Sequence, residues 1–213
     1  MKKNVLSILA LALVLMALFG YLIGQNGSSN GSSSSSSTDK PSGVDPDLVQ
    51  YKTYAWDCFD TVTTIVGYAK SGEEFDAVAA DVLAELREYH KLFDIYNAYE
   101  GVNNIRKINK LYDGEHKVIT VDRRIIDMLL YAKEMYVKTG GKMNIAMGSV
   151  LSIWHDYRDA AEDNWGVGEL PPMADLKEAS KHTDINDLII DQENSTVYLA
   201  DPKMKLLVGG FGR

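Results

Sequence analysis

The chain has 213 residues, 46% of them hydrophobic and 24% charged, proportions ordinary for a globular domain. Its formal net charge of −8 argues against a nucleic-acid partner, which calls for a basic face. A single cysteine, Cys58, excludes an intrachain disulfide and a multi-cysteine zinc site, and reads as a buried inert thiol.

Lys2 and Lys3 precede an apolar run from Val5 to Ile23 that carries no Asp, Glu, Lys or Arg. Nineteen residues at ~1.5 Å rise span about 28 Å, close to a bilayer core. Residues 1–24 therefore read as a membrane anchor or signal segment, with the positive end cytoplasmic and the rest of the chain exported. An uncleaved anchor fits the length of the run; Ala17 and Gly20 keep cleaved export as the alternative. Residues 25–46 form a Ser/Gly-rich segment with six consecutive serines, Ser32 to Ser37. Such a composition cannot offset its ordering entropy, so a disordered tether is expected, reaching on the order of 25 Å. Residues 47–213 read as the folded part.

Lys52 to Ala69 reads as extended, with a β-branched run at Thr61 to Val66. Phe75, Val78, Val82, Leu86, Tyr89 and Phe93 then recur at helical steps and predict one core-facing stripe. Asp94 to Asn109 breaks the pattern as a structured loop, with a short helix over Asn103 to Asn109. Val118 to Val121 is a short strand candidate. Asp122 looks like the N-cap of a helix to Lys138 whose face carries Ile125, Leu129, Ala132 and Tyr136. Gly140 and Gly141 end it.

The next helix spans about Met147 to Ala161, and Trp165 to Pro172 is loop-like. A short helix over Asp175 to Lys181 follows. Leu188 to Asp191 and Thr196 to Ala200 read as a hairpin, and Lys205 to Val208 as one more strand. Strands and helices without strict alternation give an α+β fold, a mixed sheet with packed helices.

The turn from Gly140 to Trp154 has two readings. The unpaired N–H groups of a helix start attract anions, and Met143, Met147 and Trp154 offer an apolar wall for a flat ring, as a nucleotide or flavin pocket requires. The other reading is an ordinary corner between helices with Trp154 in the core. GxGxxG, P-loop, HExxH and serine-elbow motifs are absent. His90, His116, His155 and His182 are scattered and read as surface or helix-face residues.

Four segments together resemble the FAD:protein FMN transferases, the ApbE-type flavin transferases. Phe59-Asp60-Thr61 is similar to the family's Met-Gly-Thr opening. Tyr96 to Asn109 resembles its Tyr-containing loop followed by Ser-Glu-(Ile/Leu)-Ser-x-(Ile/Phe)-Asn. Gly141 to Trp154 is similar to Gly-Ala-Phe-Asp-Pro-Thr-Val-Gly-Pro-Leu-x-x-x-Trp, and Leu206 to Gly210 resembles the opening of Leu-Asp-(Leu/Val)-Gly-(Gly/Ala)-Ile-Ala-Lys-Gly. The resemblance implies an ApbE-like flavin transferase fold. It implies cleavage of the FAD pyrophosphate with Mg²⁺, transfer of FMN to a threonine of an acceptor protein, and release of AMP. The acceptor class it implies is a subunit of a membrane redox complex; the N-terminal run places the meeting on the exported face of the cell membrane.

By position, the resemblance puts Phe59, Tyr99, Lys142, Met143 and Asn144 at the FAD pocket and the main-chain carbonyl of Gly210 at a Mg²⁺ ligand position. The chain departs from the pattern at Asn144, where the family has Asp; at Leu207, where Asp precedes the glycines; and at Arg213, in place of Lys. The family's pattern continues past this point with an Asp and a Thr as further Mg²⁺ ligands. The chain is therefore expected to be the N-terminal part of a transferase domain, as a fragment, a frameshifted product or a degenerate copy. A catalytically incomplete FAD-binding module is the alternative function.

Overall fold

The structure is a computed structural model and describes residues 33–34, 43–111 and 118–209. The predicted anchor and most of the predicted tether lie outside the described residues. Among the described residues no helix is long and apolar enough to cross a membrane. The described residues divide into two compact units, one drawn from Met1–Ala55 and Thr63–Val82, the other from Trp56–Val62 and Leu83–Arg213.

The first unit carries most of a three-stranded sheet in the order β1 (Ser33–Ser34), β2 (Val49–Cys58), β3 (Thr61–Ala69), whose β2–β3 end falls in the second unit. Ser33 pairs with Lys52 and Ser34 with Tyr51, antiparallel. Two residues of the predicted tether are thus strand, because the open backbone of β2 accepts a neighbour whatever its side chains. The helix α1 (Gly72–Phe93) follows β3. The Ser71 hydroxyl accepts from the Glu74 N–H at 3.2 Å, and the Glu74 carboxylate accepts from the Lys70 N–H at 3.1 Å. These bonds satisfy donors that a helix start leaves open. The core here is small: Ala69, Phe75 and Ala79, with Tyr51 and Ile65 packed against them. Tyr51 stacks on Phe75 with ring centroids 5.7 Å apart. So small a core covers a narrower arc than the predicted stripe. Val78 and Val82 point outward, 60% and 41% exposed, and Ala79 takes the buried position instead.

The second unit holds the larger core. Its helices are the last half of α1, α2 (Ile105–Asn109), α3 (Arg123–Lys138), α4 (Gly148–Asp163) and α5 (Met173–Ala179). Its three-stranded sheet runs in the order β4 (Ile119–Thr120), β6 (Thr196–Leu199), β5 (Leu188–Asp191). Both pairings are antiparallel, with Ile119 opposite Val197 and Leu188 opposite Leu199. Alternation along β6 sends Val197 and Leu199 into the core. They meet Ile125, Ile126, Leu129 and Ala132 of α3 and Ile105 and Ile108 of α2. Asn104 caps α2 by accepting from the Lys107 N–H, and Asp122 caps α3 by accepting from the Arg124 N–H at 2.8 Å. Gly140 and Gly141, at φ 60° and 80°, close α3, and the Gly141 N–H donates to the Tyr136 carbonyl at 2.8 Å.

The predicted strand at Lys205 to Val208 is reduced to one parallel bridge between Met147 and Lys205. The segment is fastened less by a ladder than by side chains. The whole is a mixed arrangement of helices and small sheets, the α+β class.

Candidate functional site

The first cluster forms around His90, near the C-terminal end of α1. The two residues between β2 and β3, Phe59 and Asp60, have φ of 57° and 52°. Only antiparallel neighbours accept so short a connection, and this left-handed pair favours Asn-Gly. Here neither residue is glycine. The Phe59 N–H donates to His90 Nδ1 at 3.0 Å, and the two rings meet edge to face at 5.6 Å. The Tyr99 hydroxyl lies 3.3 Å from His90 Nε2 and donates to Asp94 Oδ2 at 2.8 Å.

Asp94 is buried and also accepts from the Tyr96 N–H, the Asn97 N–H and the Asn97 amide. Burial alone would raise its pKa, but those donors outweigh it and hold the carboxyl below the usual aspartate range. Burial first, then the bond to Asp94 and the charges of Asp94 and Asp60, push the Tyr99 phenol up to about 12. Tyr99 therefore keeps its proton and remains a donor.

His90 and Tyr99 border an open cavity of about 460 Å³ that Asp57, Arg87 and Lys91 also line. Ligand clefts typically have volumes of ~300–1,000 Å³. The cavity's cations are already engaged: Arg87 with Asp57 at 2.7 Å and Lys91 with Glu88 at 2.6 Å. Cys58 is fully buried, and burial followed by the Asp57 charge pushes its thiol up, so it is the inert thiol the sequence suggests.

The second cluster gathers the turn from Thr139 to Ser149, the end of α2 and the C-terminal segment. Asn109 brackets Leu206: its amide donates to the Leu206 carbonyl at 2.8 Å and accepts from the Leu206 N–H at 2.7 Å. The Leu207 N–H donates to the Ile145 carbonyl at 2.8 Å, and the Ser149 hydroxyl to the Lys203 carbonyl at 2.7 Å. The Gly148 N–H donates to the Lys205 carbonyl at 3.1 Å. A Cβ on Gly148 would lie 2.5 Å from that oxygen, so only glycine allows the crossing. His182 Nδ1 lies 2.7 Å from Asp201 Oδ2. His182 Nε2 is buried with no hydrogen-bond partner among the described residues.

The predicted site residues fall into two sets. Phe59 and Tyr99 come together on His90. Lys142, Met143 and Asn144 sit in the turn between α3 and α4. Lys142 is exposed, and the Met143 N–H donates to the Thr139 hydroxyl at 3.0 Å. Asn144 accepts from the Ala146 N–H at 2.9 Å and donates to the Thr183 carbonyl at 2.8 Å. Gly210, the predicted metal ligand, lies outside the described residues.

The N–H groups leading into α4 are engaged within the chain. The Ala146, Met147 and Gly148 N–H groups are taken by Asn144 Oδ1, the Asn144 carbonyl and the Lys205 carbonyl. Ile145 and Ala146 fill the turn from within, and Trp154 is 42% exposed, so it is not a core residue. His90 is on a helix, as the sequence suggests, but no sequence signal marks the contacts it makes. Its partners lie 31 and 9 positions away, beyond any local spacing signal.

A sequence model of the ApbE family matches residues 59–213. A FAD:protein FMN transferase of Klebsiella pneumoniae is 23% identical over 138 residues, which is 65% of this chain and 40% of that protein. An ApbE protein of Thermotoga maritima superposes with a TM-score of 0.60 at 20% identity, over 76% of this chain and 48% of that one. The apo flavinyl transferase ApbE of Pseudomonas stutzeri gives 0.57 at 15% identity, covering 76% and 47%. The flavin transferase ApbE of Vibrio cholerae gives 0.58 at 13% identity, covering 76% and 48%. At these identities the structural likeness is one of fold. The chain spans less than half the length of the curated relative and of these three structures.

Proposed function

The chain belongs to the ApbE family, and on that footing we propose that it serves in transferring FMN from FAD to a threonine of an acceptor protein. In that reaction the threonine oxygen bonds to the phosphorus of the FMN half. The bridging P–O bond breaks, AMP leaves with the bridging oxygen, and the hydroxyl proton passes to solvent. Such a transfer depends mostly on positioning and charge neutralisation. The acceptor class is a subunit of a membrane redox complex. The place of action is the exported face of the cell membrane, supported by the apolar run that follows Lys2 and Lys3.

One observation carries this reading. Three of the segments that resemble the family motifs, widely spaced in sequence, meet at one place: Asn109, Ile145, and Leu206 with Leu207. The fourth, at Phe59, meets Tyr99 of the second segment through His90. Phe59 and Tyr99 are proposed as aromatic walls for the flavin. Lys142, Met143 and Asn144 shape the turn beside the C-terminal segment, with Asn144 as its internal bracket.

The one position at which the resemblance puts a Mg²⁺ ligand in this chain, the Gly210 carbonyl, lies outside the described residues. Among the described residues no group of three or more His, Cys, Asp or Glu is placed to hold a metal. Leu207, standing where the family pattern has Asp, favours a second reading: an FAD-binding module that does not itself complete the transfer.

One experiment separates the two. The full chain is incubated with FAD, Mg²⁺ and a threonine-bearing acceptor domain. Flavin fluorescence quenching reports binding, and in-gel fluorescence of the denatured acceptor reports covalent transfer. Quenching with labelled acceptor supports the transferase. Quenching without labelling supports the module. Neither signal defeats both.

A further inference from the structure

We propose that His90 is a positioning residue: a neutral imidazole, protonated on Nε2, that ties the Phe59 turn to Tyr99 and so sets the two aromatic walls for a planar heteroaromatic ligand. The ligand part rests on the flavin reading above; the protonation state does not.

Hydrogen-bond direction assigns the tautomer from both ends. A backbone N–H can only donate, so the Phe59 N–H at 3.0 Å requires a lone pair on His90 Nδ1. At the other end Asp94 is an acceptor only, and its carboxylate draws the Tyr99 hydroxyl proton to Oδ2 at 2.8 Å. The hydroxyl then offers Nε2 a lone pair at 3.3 Å, which requires a proton on Nε2. The donors run one way: Phe59 N–H to Nδ1, Nε2–H to Tyr99, Tyr99 O–H to Asp94. An imidazolium would set a second N–H against that of Phe59. The high pKa of the Tyr99 phenol agrees with a hydroxyl that keeps its proton.

This arrangement has a use beyond packing. Phe59 and Asp60 hold left-handed backbone without glycine, and the N–H of that turn is received by a side chain rather than by a strand. Tyr99 is held by the same ring. His90 thus fixes the relative placement of two aromatic groups from distant parts of the chain, beside a cavity that both His90 and Tyr99 border. Its neutrality adds no charge next to the two engaged cations of the wall.

The test uses the full chain in detergent micelles, labelled with ¹⁵N-histidine. A long-range ¹H–¹⁵N correlation spectrum at neutral pH distinguishes the tautomers, and loss of one ring system in His90→Gln assigns it. An unprotonated Nδ1 with a protonated Nε2 is the expected result. The opposite tautomer, or two protonated nitrogens, overturns the proposal.

FAD quenching titrations then test the positioning. His90→Ala should weaken FAD about tenfold, the scale of one or two lost hydrogen bonds. His90→Asn, whose Oδ1 replaces the Nδ1 acceptor, should restore part of that loss. A folded His90→Ala chain that binds FAD as tightly as the wild type overturns the positioning role. A wild-type chain with the expected tautomer and no FAD binding overturns the flavin reading alone, and the wild-type spectrum decides the tautomer even if no variant folds.

Discussion

Asn144 accepts from the Ala146 N–H and donates to the Thr183 carbonyl, so both ends of its amide are engaged. A carboxylate at that position could keep the first bond, but it would turn an oxygen toward the Thr183 carbonyl. The departure from the family's Asp therefore has a local reason that composition and spacing do not carry, because Thr183 is 39 positions away. Asn104 and Asn109 are used in the same two-ended way, toward Asn97 and Lys107 and toward Leu206. At neutral pH Asn144→Asp should cost about 1–3 kcal/mol, the range for a donor lost where its acceptor is partly buried. The cost should shrink in acid, where a protonated carboxyl regains a donor. Urea unfolding midpoints at the two pH values check this; a variant as stable as the wild type at neutral pH would remove the bracket from the account. Phe59 and Asp60 make the opposite point. Their left-handed backbone costs roughly 1–2 kcal/mol each, and no local signal announces a turn without glycine.

At the level of elements, legibility follows the range of the interaction that builds each one. The start of α3 is readable because Asp122 caps its own neighbour, and its end because Gly140 and Gly141 must adopt positive φ. The β5–β6 hairpin is readable because four turn residues separate two alternating runs. The stripe on α1 is misread at Val78 and Val82, since periodicity cannot tell how wide a core the helix will meet. The last strand is misread because what fastens it comes from Asn109 and Gly148 rather than from a neighbouring strand. A pair of substitutions tests both points. Val78→Ala should change stability by less than about 0.5 kcal/mol, as exposed sites do. Gly148→Ala should cost about 2 kcal/mol or more, because a Cβ 2.5 Å from the Lys205 carbonyl forces two backbones apart. Equal effects of the two in urea titrations would mean that α4 and the C-terminal segment do not cross so closely.

For the whole chain, the formal charge of −8 says little about fold, but the placement of particular carboxylates predicts how stability answers to acid. Asp94 and Asp201 are both held below the ordinary aspartate value of 3.8. In each case burial pushes the pKa up and is outweighed, at Asp94 by Asn97, Tyr96 and Tyr99, and at Asp201 by the Lys203 N–H and His182. A folded-state pKa below the unfolded one means that the unfolded chain takes up protons first. The stabilisation is therefore fully present above the unfolded value and is lost as pH falls through 3.8 toward the folded value. Urea midpoints should be level in this contribution down to about pH 5 and fall steadily below pH 4. Asp201→Asn should lower the plateau, because the bond to His182 is rearranged, and should make the acid limb shallower, because one of the carboxylates held below its ordinary pKa is gone. An acid limb equally steep in the variant would assign the loss to other carboxylates and leave the His182–Asp201 pair without a part in holding the C-terminal segment.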